Sequence, residues 1–113
     1  IYPLACVASL KSIELFEKNN VVDKVKNIER IFMEEFKDFT NEEVKDVRIF
    51  GAMAAVEVFE YKDVAKAQEY AYDKGVWLRP FGKYLYLMPS YILSEEEARK
   101  LCRTIKEYFS ELK

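Results

Sequence analysis

The chain has 113 residues with 18 Lys and Arg against 20 Asp and Glu, and it contains no histidine. That length suits one domain with its own core; the near balance of charge argues against a nucleic-acid partner, and the missing imidazole removes most zinc and Ser-His-Asp chemistry. No apolar run nears the ~20 residues of a membrane span, and Cys6 and Cys102, each inside an apolar helical pattern without CxxC spacing, read as small buried thiols of a cytoplasmic protein rather than as a disulfide or metal pair.

Leu4 to Lys18 carries Cys6, Leu10, Ile13 and Phe16 three or four apart, which predicts a helix with an apolar stripe that Asn19-Asn20 stops. A second helix is expected from about Val21 to Phe39, with Val22, Val25, Ile28, Phe32, Phe36 and Phe39 on one face. The period then changes. Val44 to Phe50 and Ala52 to Glu60 are rich in β-branched residues and read as strands around a bend at Gly51. Asp63 is placed to cap a helix running to Lys74, with Gly75 ending it. Val76 to Arg79 and Tyr84 to Met88 form an expected hairpin across "PFGK". Ser94 and Glu97 are spaced as a capping box for a last helix with Ala98, Leu101, Ile105, Tyr108 and Leu112 on one face. The order ααββαββα predicts an α+β fold, a small and mainly antiparallel sheet covered by helices, in a single domain over residues 1–113.

No catalytic constellation is complete. The serines lack a histidine base, three glycines spread along the chain cannot build a phosphate cradle, and the acidic pairs sit at helix surfaces or helix starts where solvation explains them. Glu57 interrupts the apolar run "AAVEVF", so its carboxylate must face water or meet a cation such as Arg48 or Arg79. Arg79 is the sharpest feature, a lone guanidinium in "GVWLRPFGKYLYLMPSYI". Alternation puts Trp77 and Arg79 on one strand face, with Tyr84, Tyr86 and Met88 sharing a face of the partner strand. Rings around a cation suit a carboxylate ligand with an aliphatic chain. On the residues alone, a tie to a neighbouring acid or stacking on Trp77 or a tyrosine is the stronger account.

Three stretches carry a resemblance: "PLACVASLKSIELFE" (3–17), "VKDVRIFGAMAAVEV" (44–58) and "GVWLRPFGKYLYLMPSYILSEEEARKL" (75–101). In this order and spacing they resemble the C-terminal portion of the adenosylmethionine-8-amino-7-oxononanoate aminotransferases, within the class III, fold type I pyridoxal-phosphate aminotransferases. "WLRPFGKYLYLMP" is the more specific marker. The resemblance implies a C-terminal substrate-specificity domain of a homodimeric enzyme of biotin synthesis, which transfers the amino group of S-adenosylmethionine to 8-amino-7-oxononanoate. It implies that Arg79 binds the oxononanoate carboxylate, with Phe81 and Tyr86 beside that pocket. It also implies that pyridoxal phosphate, its Schiff-base lysine and its phosphate loop belong to a large domain, since no lysine here matches the Schiff-base position. Catalytic, cofactor and metal residues are therefore expected to be none in this chain, which is expected to be an excised piece inactive alone. Ile1-Tyr2 departs from the family's Gly-Asn. The alternatives are the small domain of another class III aminotransferase, acting on an ω-amino acid or ornithine, and a free-standing module that binds a ligand or a protein.

Overall fold

From Val44 onward the period-two pattern becomes a four-stranded sheet, and the 3.6-period stretches become helices. The computed structural model describes residues 2–112, so Ile1 of the irregular Ile1-Tyr2 pair lies outside the described residues. The elements in chain order are α1 (Pro3–Lys18), α2 (Val21–Phe36), β1 (Val44–Phe50), β2 (Met53–Val58), α3 (Lys62–Ala65), α4 (Ala67–Asp73), β3 (Arg79–Phe81), β4 (Tyr84–Leu87) and α5 (Glu95–Glu111). The sheet order is β1-β2-β4-β3 with every neighbouring pair antiparallel. The α+β architecture expected from the element order is the one observed.

Alternation along each strand splits the sheet into two unlike faces. Ala54, Val56 and Val58 of β2 and Leu85 and Leu87 of β4 are buried, in one core with Ile31 and Phe32 of α2, Ala71 of α4, and Ile105 and Phe109 of α5. Helices therefore cover one face, and the other is left open. The helix caps follow local chemistry. Asn20 turns the chain between α1 and α2 at φ 51°, and Gly75 leaves α4 at φ 77°, where a side chain would be strained. Ser94 Oγ accepts from the Glu97 N–H while the Glu97 carboxylate accepts from the Ser94 N–H, the expected capping box.

Several expectations are corrected. The second helix ends at Phe36, and Phe39 instead folds back from the following turn, with its ring 5.7 Å from Phe36 and 6.5 Å from Phe109. Asp63 does not cap a helix; it lies inside α3 and is buried, and a break at Lys66 separates α3 from α4 while Val64, Ala67 and Ala71 all remain buried. The expected strand Val76–Arg79 is replaced by β3 at Arg79–Phe81, because the backbone donors before it are engaged by α4. The Val76 N–H bonds the Ala71 carbonyl at 2.8 Å, and the Leu78 N–H bonds Gln68 Oε1 at 2.7 Å. The hairpin turn is Gly82-Lys83 rather than "PFGK", and Pro80 is tolerated within β3 because an edge strand leaves one row of N–H positions unpaired.

Cys102 is buried as expected, but Cys6 is exposed, as is every residue of α1. The helix projects past the two layers, giving extents of 53 × 29 × 24 Å and a radius of gyration of 16.3 Å. A compact chain of this length would have about 13 Å. Leu10 and Ile13, the middle of the expected stripe, are 68% and 57% exposed.

Candidate functional site

The open face of the sheet collects the residues singled out in the sequence. Strand register sets Arg48, Ala55, Tyr86 and Arg79 in one row across all four strands, and Asp46, Glu57, Tyr84 and Phe81 in the next. Because directly opposed residues point to the same face, Arg79 lies beside Tyr86 and Phe81 beside Tyr84. The Tyr84 and Tyr86 rings stack at 5.8 Å with a 23° interplanar angle, so β4 presents a two-ring platform between the cations at either side. Tyr86 is half-buried, whereas Phe81 is 74% exposed.

The two arginines of this face differ in what holds them. Arg48 donates to Glu57 at 2.9 Å and to Asp46 at 3.4 Å, and its guanidinium stands 5.5 Å over the Tyr84 ring. The hydrogen bond to Glu57, set against partial desolvation, raises its affinity for its proton above the ordinary arginine value. Glu57 is also 3.5 Å from Lys45. This carboxylate, one of the acids proposed to brace Arg79, is thus occupied by β1. Strand order explains the choice, since β4 separates Arg79 from Glu57 by two strand spacings, about 10 Å. The Arg79 side chain takes part in none of the side-chain hydrogen bonds, ion pairs or cation–π contacts found among the described residues. Neither structural account of it, an acid tie or a ring stack, is realised.

Beside Arg79, at the end of the sheet, a cleft of about 340 Å³ is lined by Trp77, Met88, Ser90 and Lys100 among others. A second hollow of about 490 Å³ shares Met88 and Ser90 and reaches Phe50, Met53 and Tyr91. The segment Met88–Ser90 therefore divides two depressions, the first partly apolar and lined by Arg79, the second mostly apolar. Fixed cation, stacked phenols and apolar hollows can together take a carboxylate on an extended aliphatic chain. Gln68 was not picked out in the sequence. Its place on α4 between Ala67 and Ala71, both fully buried, was the available signal that its amide faces inward.

Among the described residues no three His, Cys, Asp or Glu side chains converge as metal ligands. The lysine at the cleft, Lys100, is exposed on α5, and Glu97 there is committed to the capping box. The buried acid, Asp63, belongs to the helix layer, where its carbonyl accepts from the Tyr108 hydroxyl at 2.7 Å. No helix among the described residues is long and apolar enough to cross a membrane.

The chain is 39% identical over 106 residues to the adenosylmethionine-8-amino-7-oxononanoate aminotransferase of Buchnera aphidicola subsp. Baizongia pistaciae, covering 91% of this chain and 24% of that protein. It is 36% identical to the enzyme of the same name from Corynebacterium glutamicum, with 91% and 25% covered. The chain thus spans about a quarter of the length of these relatives. Among solved structures, the adenosylmethionine-8-amino-7-oxononanoate aminotransferase of Methanocaldococcus jannaschii superposes with a TM-score of 0.79 at 30% identity, over 94% of this chain and 27% of that one. A transaminase solved with L-alanine shares the fold at TM-score 0.86 and 18% identity, over 96% of this chain and 28% of that one. The sequence model of the class-III aminotransferases matches residues 2–109, and the chain belongs to that family.

Proposed function

We propose that this chain is the C-terminal substrate-specificity domain of an adenosylmethionine-8-amino-7-oxononanoate aminotransferase, and that Arg79 binds the carboxylate of 8-amino-7-oxononanoate. The observation that carries the reading is Arg79 itself, a cation on the open sheet face with no partner among the described residues, beside a tyrosine platform and a partly apolar cleft. An unpaired guanidinium keeps its planar pair of donors available for a bidentate contact. Tyr86 and Phe81 flank it and would wall the methylene chain. The relatives at 30–39% identity that bear this enzyme's name favour it over the ω-amino acid and ornithine readings, since the omega transaminase and acetylornithine aminotransferase structures stand at 16–17%.

Pyridoxal phosphate, which the family implies, would supply the electron sink for moving the amino group. The described residues do not fit it by themselves. Lys100 is exposed rather than held against a buried acid, and Glu97 at the same cleft is committed to the capping box. In this reading the cofactor is held by the rest of a cytoplasmic homodimer, S-adenosylmethionine is the amino donor, and this chain contributes binding and orientation. A direct test uses the whole enzyme with 8-amino-7-oxononanoate and its methyl ester. Masking the carboxylate should lower kcat/KM by about 30-fold or more. Equal turnover of acid and ester would overturn the assignment.

A further inference from the structure

Arg79 begins its strand, so its direction depends on the segment just before it. That segment, Val76 to Leu78, belongs to no strand. Val76 is tied to α4 through the Ala71 carbonyl, Trp77 is 67% exposed, and Leu78 is 2% exposed. Pro80, which has no N–H, stands opposite Leu85, so it must occupy a position whose donor is not needed by β4. Leu78 lies two residues earlier in the same phase, and its N–H points out of the sheet, away from β4. A buried donor aimed there needs an acceptor. Gln68 Oε1 provides it at 2.7 Å from ten residues upstream, which also settles which end of that amide is oxygen.

The other end of the amide is informative. Gln68 Nε2 is buried and has no hydrogen-bond partner among the described residues. The side chain thus carries an unsatisfied donor for the sake of one accepting oxygen, and that oxygen holds the residue immediately before Arg79. We infer that Gln68 is a positioning residue for substrate recognition, which locks the Leu78 backbone so that the Arg79 guanidinium meets the substrate carboxylate in one orientation. This rests on the reading that Arg79 binds that carboxylate. Gln68 does not touch the substrate; without its oxygen, the segment that leads into the three-residue edge strand would keep only the Val76 tie to α4, and the buried Leu78 N–H would lose its acceptor.

The test uses the whole enzyme and follows the two half-reactions separately. Gln68→Met keeps the length of the side chain and removes the acceptor; Gln68→Asn withdraws it by one bond and serves if the first variant is unstable. Either should raise KM for 8-amino-7-oxononanoate about tenfold, as expected for a binding group displaced by an ångström or less, with the reaction of the amino donor within about twofold. Hydrogen exchange of the Leu78 amide should quicken in parallel. Gln68→Glu keeps the accepting oxygen and sacrifices only the unpartnered donor, so it should recover most of the KM. The inference is overturned if Leu78 exchange quickens while KM stays within twofold, if both half-reactions fall equally, or if Gln68→Glu is as impaired as Gln68→Met. Arg79→Ala run alongside separates the two claims: a silent Arg79 sinks the carboxylate reading, and a responsive Arg79 with a silent Gln68 sinks only this one.

Discussion

Replacing Arg79 by alanine in the complete enzyme separates a ligand-binding arginine from a structural one. Within this chain the guanidinium has no hydrogen bond or ion pair to lose among the described residues, and its side chain is exposed. Its removal should therefore change folding stability by no more than about 0.5 kcal/mol, or about 2 °C in Tm for a domain of this size. The contact it makes with a carboxylate is another matter. A charge-assisted bidentate pair, closed off from water by Tyr86 and the bound chain, is worth about 2–3 kcal/mol, so kcat/KM for the oxononanoate half-reaction should fall by ~30- to 150-fold. Arg79→Lys should recover little, since an ammonium offers no planar fork. Single-turnover spectra of each half-reaction, with a thermal melt of each variant, provide the measurement. A fall in both half-reactions together with a Tm lowered by several degrees would refute the reasoning, because it would mean that the arginine braces the sheet.

Further outcomes follow from the core and the charged groups. Phe109 is fully buried, with its ring 5.2 Å from Tyr108 and 6.5 Å from Phe39; Phe109→Ala should cost about 3–5 kcal/mol in urea unfolding of this chain, and a cost below ~1 would contradict the packing described. Burial pushes the Glu35 carboxyl up, but hydrogen bonds from Lys106 (3.2 Å) and Arg99 (3.0 Å) outweigh it and hold the group below its ordinary value. A depressed folded value adds stability that is full above the unfolded value of about 4.3 and is lost as the pH falls through the folded one, so Glu35→Gln should flatten the acid limb of a Tm-against-pH curve. Burial pushes the Cys102 thiol up to about 12, whereas Cys6 is exposed; a thiol reagent at pH 8 should modify one cysteine at once and the second only on unfolding.

How far these features could be read beforehand depended on the kind of signal each one left. The α5 stripe and the Ile28-to-Phe36 part of the α2 stripe bury as their spacing implies, because a helix amid a core has one solution for its apolar face, whereas Val22 at the start of α2 stays exposed. Ser94 with Glu97 and Gly75 at φ 77° were equally plain, being fixed by contacts within a few residues. Periodicity also found α1, but it reports only that an apolar side exists and says nothing of what lies against it, which is why Cys6 was misplaced. The start of β3 was misjudged for a related reason. Whether Val76 to Leu78 pairs as a strand was decided by Ala71 and Gln68 of another element, and no local propensity records that competition. The partner of Glu57 was undecidable between Arg48 and Arg79 until strand order was known, since both are strand arginines and, of their two strands β1 and β3, β1 alone is adjacent to β2.

That same strand order shapes what the open face can do. The sheet holds two arginines in a single cross-strand row, yet Arg48 is committed to Glu57 and Asp46 while the Arg79 side chain has no partner among the described residues, so of the two it is the available cation, at the edge beside the cleft. Committing Arg48 narrows where an anion can settle, because Glu57 beside it repels a carboxylate that Arg79, two strands away, would attract. A charge exposed to water binds a carboxylate weakly, however, and selectivity demands that the contact be enclosed. Tyr84, Tyr86 and Phe81 furnish one wall on the sheet, and no element among the described residues covers them from above. The proposed activity therefore requires a second surface facing this one, from the three quarters of the enzyme that the relatives have beyond the matched region. In that arrangement the present chain sets where the carboxylate lies, and the opposing surface excludes the water that would otherwise screen it.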